Sequence, residues 1–521
     1  MGRPRSEVAA QWCRIAGELT EDFPISILNS NRLELVLNKI GKATCASIDI
    51  KRKREGRNDV RWLHVISRTA RGGGHTALCR RWIQADKSND QHHLALTFQE
   101  STDIDPELVD EVKTRGGAIN YVSQKYSLLE RAIQLNKIAA EFDVVVLHIH
   151  MWDPVPSIAF AQPGGPPVLM MNHADHVYWT GSSVADVVLN IRPSGEALCL
   201  PYRGCHKTFR LPVPLPLPTT SEGERDELRK SLRLTLGIPS DAIVYLTIGS
   251  AYKYAPIQEL NFLETTETLL ERVSNSYLIA VGPNIDDPMW QALAERTGGR
   301  VKAFGFQPEL TSFLAAADVY LEGFPFGSLT ALLEAALFGL PPVLAPAACP
   351  LPYRSDDFGL VKVTAPENVA AYIFKAILLA SDQTERQRLG QQVRFSTQLH
   401  HCGEAWEKYV VLLRQMVLNE VQHLPDGNAA AEPLPDHLIS YWNHFCAKRT
   451  RDNPVSFAMR RCMRYGLRPW IDIKVLVGLI NAKSKHVRSP NILTVAFGGT
   501  FLSLLPKSLS RRIYLGKQQK N

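Results

Sequence analysis

Ten short apolar runs set the plan of this chain, five before and five after the proline-rich octet LPVPLPLP at residues 211–218. The first five are RWLHVIS (61–67), HHLALTF (92–98), DVVVLHIH (143–150), PPVLMMNHAD (166–175) and ADVVLNIRPSG (185–195). The second five are DAIVYLTIGS (241–250), SYLIAVGP (276–283), RVKAFGF (300–306), ADVYLEGF (317–324) and PPVLAPA (341–347). Runs rich in valine, leucine and isoleucine, separated by helical patterns, read as strands buried on both faces of a parallel sheet. Such sheets bind ligands where their strands end in loops at the carboxyl edge. Proline has a fixed φ and no N–H, so the octet cannot continue a helix or a central strand and reads as a stiff linker.

The expected fold class is therefore α/β with two Rossmann-like domains, and a length of 521 residues suits two domains with extensions. The divisions expected are an N-terminal extension (1–58), a first domain (59–210), the linker (211–220), a second domain (221–390), a return helix (391–425) and a basic helical appendix (426–521). With 45% hydrophobic and 21% charged residues, the chain has enough apolar surface to fold as a globular protein. Nine scattered cysteines without a CxxC pair argue against a disulfide framework or a zinc site. The start lacks the apolar stretch and small-residue cleavage site of a secretory signal, so a cytoplasmic location is expected.

Charge is unevenly placed. From residue 441 onward there are sixteen Lys and Arg against two acids, whereas the whole chain carries only +7. That tail suits an anionic partner, and peripheral contact with an anionic membrane is expected of it. The apolar run 492–505 falls short of the roughly 20 residues needed to cross a bilayer. The run KRKREGRND (51–59) reads as a solvated linker, and no nucleic-acid partner is expected.

The densest chemistry lies in FPFGSLTALLEAALFGLP, where Gly327 and Ser328 precede a helix. Free N–H groups of Ser328, Leu329 and Thr330 would meet an anion there, favoured by the helix dipole. The strand LTIGS delivers Gly249 and Ser250 to its carboxyl end, with Lys253 just beyond. The stretch from 300 to 343 as a whole resembles glycosyltransferases of the GT-B type, particularly family 4, and the resemblance extends over about 60–390. It implies a nucleotide-diphosphate sugar as donor, with the base near Phe304 to Gln307 and Phe306 among the contacts. It further implies a ribose bound by Glu334 and a diphosphate leaving group neutralised by Lys253. The chain departs from family 4 at Phe326, where the pattern has a glutamate eight positions before Glu334. Glu322 is close by, but not at that spacing.

In the first half, ARGGGHTA places Gly72, Gly73 and Gly74 in a strand-to-helix turn that allows close backbone approach to a ligand. The resemblance assigns this turn, with Gly73 and Gly74, to the donor phosphates and the acceptor. His173, directly off the strand PPVLMM, is the histidine it implies beside the transferred sugar, with Asp175 to orient it; His176 and the pair His148 and His150 are alternatives. Asp103-Ile104-Asp105 matches a metal-binding Asp-x-Asp formally, but before Pro106 it reads as a helix cap, and no obligatory metal or other cofactor is expected. The expected activity is metal-independent sugar transfer to a glycan, lipid-linked or protein acceptor. A silent module acting as an adaptor, or an epimerase or phosphorylase, are the alternatives.

Overall fold

The computed structural model describes residues 5–23, 26–45, 58–70, 72–100, 104–425, 431–449, 454–465 and 467. The first sheet holds β1 (Arg61–Ile66), β2 (Gln91–Leu96), β3 (Ile119–Tyr121), β4 (Val144–His148), β5 (Val168–Asn172), β6 (Val187–Asn190) and β7 (Thr208–Arg210). Its order is β3-β2-β1-β4-β5-β6-β7, and every pairing is parallel. The second sheet holds β8 (Ile243–Ile248), β9 (Ser276–Val281), β10 (Val301–Ala303), β11 (Val319–Leu321) and β12 (Pro342–Val343), ordered β10-β9-β8-β11-β12 and again parallel. Two α/β units with parallel sheets are thus present. The short strands β3 and β7, each three residues, carry little of the apolar patterning that marks the others.

In each sheet the strand order reverses beside its first strand, between β1 and β4 and between β8 and β11. Loops diverge at such a switch point and leave a crevice at the carboxyl edge. Side chains alternate across the first sheet: Trp62, Val144, Val146, Leu169 and Met171 bury one face with Trp82, while Leu63, Val65, Val145, Leu147 and Met170 bury the other. His64, His92 and His148 interrupt the first of these faces and are fully buried there.

Two N-terminal helices, Arg5–Asp22 and Asn31–Thr44, pack on the first unit through buried carboxylates. Glu7 accepts the N–H groups of Leu128 and Leu129, the free amides at the start of a helix. Glu34 accepts those of Gly181 and Ser183 and also the Ser183 hydroxyl. After the second unit, helices Gln383–His401 and Gly403–Glu420 bring the chain back to the first. There Arg414 pairs with Asp90 at 3.3 Å, and the His423 ring nitrogens reach two acceptor oxygens, the Asp186 carboxylate at 2.9 Å and the Phe160 carbonyl at 2.8 Å. On the way, Trp406 Nε1 donates to the Pro212 carbonyl at 2.7 Å, and His401 Nδ1 bonds the Val213 carbonyl at 2.8 Å.

Among the described residues no helix is long and apolar enough to cross a membrane. The apolar run 492–505, most of the basic tail and residues 51–57 of the basic linker lie outside the described residues.

Candidate functional site

Lys253 follows β8 in a short turn, Ala251–Tyr254, and its Nζ donates to the Ser328 hydroxyl at 3.0 Å and the Gly327 carbonyl at 2.9 Å. Ser328 caps helix Leu329–Leu337 without bonding the helix amides through its own side chain, so the first-turn N–H groups, Thr330 among them, are not closed off by the cap. Burial, followed by the nearby Arg192 guanidinium, pulls the Lys253 ammonium down to about 8, against the opposing pull of Glu322. The strands end so closely here that side chains have no room. A Cβ on Gly249 would stand 2.8 Å from Ser328 Oγ, and one on Gly327 would stand 2.2 Å from Glu322 Oε1. Ser250 is exposed at the start of the same turn.

Glu334 lies one turn and a half further along the helix, and Arg81 of helix Gly74–Ala85 reaches across from the first unit to pair with its carboxylate. Gly73 caps that helix, Gly74 opens it with free space around its Cα, and Gly72 (φ +72°) lies against the Phe306 ring. The structure therefore brings the two glycine-bearing turns, Lys253, Ser328, Glu334 and Phe306 to one cleft. Asp105 caps helix Pro106–Thr114 by accepting the Leu108 N–H, which is the cap reading of the Asp-x-Asp stretch; Asp103 lies outside the described residues.

Phe326 fills the place of the absent acid with an aromatic ring. Lys253 Nζ lies 5.0 Å from its centroid, and His176, Tyr353 and Phe445 surround it. Trp442 and Phe445 come from helix Asp436–Arg449, and Trp442 stacks on Tyr353 while Tyr441 donates to the Pro325 carbonyl at 2.6 Å. Glu322 points away from this pocket; its two oxygens accept the Ala345 and Ser355 amides at 2.7 Å each, and burial raises its pKa despite those bonds.

One expected pairing is replaced by another. Asp175 does not orient His173: Arg192 grips it with two bonds of 2.6 and 2.7 Å, and His176 stands 3.9 Å away. The reason is reach, because Arg192, two residues past the end of β6 and the N-cap of helix Pro193–Arg203, lies beside the loop after β5 and offers a guanidinium fork that matches a carboxylate. Burial acts to raise the Asp175 pKa, but Arg192 and His176 outweigh it and hold the carboxyl below its usual range. Arg192 also donates to the Arg354 carbonyl, and Ser194 bonds Asp356 through its N–H and hydroxyl, so this corner fastens the first unit to the second. Sequence reasoning missed Arg192 and Arg81. Arg192 had a signal, since it is the charged residue where a strand of the first sheet runs out.

His173 instead bonds His148, with Nε2 3.1 Å from His148 Nδ1, and stacks on His75 with ring centroids 4.1 Å apart. Burial, reinforced by neighbouring imidazoles, lowers the pKa of His173 and His64 well below the ordinary value; His75 is brought to about 3 by the same causes, and His148 to about 3 by burial. His64, His148 and Cys79 place their ligand atoms within 4.8 Å of one another. Both ring nitrogens of His64 and of His148 are already bonded to other imidazoles, so this group is satisfied without an ion.

No protein-family model and no curated protein matches the sequence. Similarity appears in solved structures. A glycosyltransferase from Rickettsia africae ESF-5 superposes with a TM-score of 0.53 at 12% identity, over 70% of this chain and 100% of that one. Anabaena Alr3699/HepE, solved in complex with UDP and glucose, gives 0.51 at 14% identity, over 68% and 99%. An O-GlcNAc transferase variant from Thermobaculum terrenum gives 0.48 at 15%, over 81% and 76%. In fold, the chain is a GT-B protein, two parallel α/β units facing each other across a cleft.

Proposed function

We propose that the chain transfers a sugar from a nucleoside-diphosphate donor to an acceptor hydroxyl, without a metal ion. The observation that carries this reading is the contact of Lys253 Nζ with Ser328 at the start of a helix on the carboxyl edge of the second sheet. An ammonium and a set of free backbone N–H groups converge there, which suits a diphosphate whose negative charge grows as the glycosidic bond breaks. The base would lie at Phe304 to Gln307 and the ribose at Glu334, which Arg81 would have to release. The acceptor would enter past Gly73, Gly74 and His173. In the transfer, the bond from the sugar C1 to phosphate oxygen breaks, a bond from C1 to the acceptor oxygen forms, and the acceptor proton passes to an imidazole. Anabaena HepE, which shares the fold, was solved with UDP and glucose, and that supports the donor class.

The test is calorimetric titration with UDP, GDP, ADP and their sugars, with and without EDTA, on the native chain and on Lys253→Met. Selective binding of one nucleotide that survives EDTA and weakens by roughly 10- to 100-fold in the variant is expected, the size of a charge-assisted hydrogen bond. Folded protein that binds none of them would overturn the reading and leave a non-catalytic GT-B module.

A further inference from the structure

Four imidazoles form an unbroken line through the first unit. Asp86 Oδ2 meets His92 Nε2 at 3.0 Å, His92 Nδ1 meets His64 Nε2 at 2.9 Å, His64 Nδ1 meets His148 Nε2 at 3.0 Å, and His148 Nδ1 meets His173 Nε2 at 3.1 Å. Successive ring centroids are 5.2 Å apart at each of the three steps. That spacing is close to the distance between neighbouring strands, and the four residues come from β2, β1, β4 and the end of β5, which are neighbours in that order.

The register explains the direction of the line. His92 pairs with Trp62 of β1, His64 lies two residues further, and His148 pairs with Ile66, two further again. On β5, Met170 pairs with Leu147, so His173 follows the same advance. A step of two residues keeps every side chain on one face of the sheet. The diagonal starts at Asp86, the C-cap of helix Gly74–Ala85 beside the exposed Lys87, and ends at the cleft.

With all four imidazoles neutral, hydrogen-bond bookkeeping leaves one solution. A carboxylate only accepts, so His92 must carry its proton on Nε2 and present a lone pair at Nδ1. His64 must therefore donate from Nε2, His148 likewise, and His173 likewise. His173 Nδ1 has no partner among the described residues, and it is left as a lone pair. We infer that Asp86, acting through His92, His64 and His148, fixes the tautomer of His173 so that Nδ1 faces the cleft as a proton acceptor. The four are positioning residues: when His173 Nδ1 takes a proton, its Nε2–H is held by His148 and the resulting charge is spread towards Asp86. Burial acts to raise the Asp86 pKa, but the hydrogen bonds from His92 and Ser88 hold it at about 2, so the anchor is a carboxylate at neutral pH. The use of His173 in catalysis rests on the transferase reading, whereas the tautomers do not.

The test is ¹⁵N-histidine NMR on the full chain, with metal content measured on the same sample. His92, His64, His148 and His173 are each expected as the Nε2–H form. Asp86→Asn keeps the shape but can turn an NH₂ towards His92, which permits the whole row to invert; the Nε2–H fraction of His173 is expected to fall to about half or less. In a transferase assay the same variant is expected to lose kcat on the order of 10²-fold with donor KM within about twofold, the size of a general-base contribution. An Nδ1–H form at any of the four positions in the native protein, a His173 tautomer unmoved by Asp86→Asn, or stoichiometric zinc on His64 and His148 would each overturn the inference. If the tautomers are as stated and no nucleotide binds, the row stands and the transferase reading fails.

Discussion

Replacing His75 by phenylalanine should make the fold less sensitive to acid. His75 is the second residue of helix Gly74–Ala85, its Nδ1 is enclosed without a partner among the described residues, and its ring lies between those of His173 and His150. Burial first, and the neighbouring imidazoles His150 and His148 second, bring its pKa to about 3 from an ordinary 6.5. The helix N-terminus beneath it acts in the same direction. A histidine held neutral in the fold binds its proton more readily when unfolded, so its contribution is complete above pH 6.5 and is lost as the pH falls from 6.5 towards 3. Between pH 7 and pH 5 that loss amounts to about 2 kcal/mol for one residue. Other buried groups also titrate in this region, among them Glu34 and Asp153, whose carboxyl pKa values burial raises and whose effect has the opposite sign. They are common to both proteins, so the difference between native and His75→Phe isolates the one proton. The assay is urea unfolding followed by tryptophan fluorescence at half-unit steps from pH 7.5 to 5. The stability of His75→Phe is expected to fall by about 2 kcal/mol less than that of the native chain over the two units from pH 7 to pH 5. Parallel curves would refute the neutral, enclosed state assigned to this ring.

Two further outcomes follow from the cleft. Asp175→Ala strands the Arg192 guanidinium in a buried corner and should cost about 3–5 kcal/mol; adding Arg192→Met should recover much of it, and urea midpoints of the single and double variants check both statements. Gly327→Ala puts a methyl group 2.2 Å from a Glu322 oxygen whose carboxylate is fixed by two backbone amides; a loss of about 1–3 kcal/mol in thermal unfolding is expected, and an unchanged midpoint would show that the carboxylate can yield.

The fold class was legible because a strand buried on both faces has to be apolar throughout. DVVVLHIH and DAIVYLTIGS show this, whereas β3 and β7 at the sheet edges do not. Gly327, Ser328 and Lys253 stood out because helix starts and strand ends leave local marks in a sequence. The histidine row left none. His64, His92, His148 and His173 are 25 to 84 residues apart along the chain in their contacts, and they align only when strand order and register are known. The partner of Asp175 was hidden for the same reason. A nearby histidine in sequence competed with an arginine on the adjacent strand, and sequence distance does not reveal which side chain has the reach.

The linker between the two units is held, not merely stiff. Within a few residues the Pro212 carbonyl is bonded by Trp406, the Val213 carbonyl by His401, and the Leu215 amide by the His401 carbonyl. A connection gripped this way has little slack, which suits a hinge pin. A swing of the two halves about this point, like the covers of a book, is the motion such a connection allows. An opening at the mouth would then leave the spine in place.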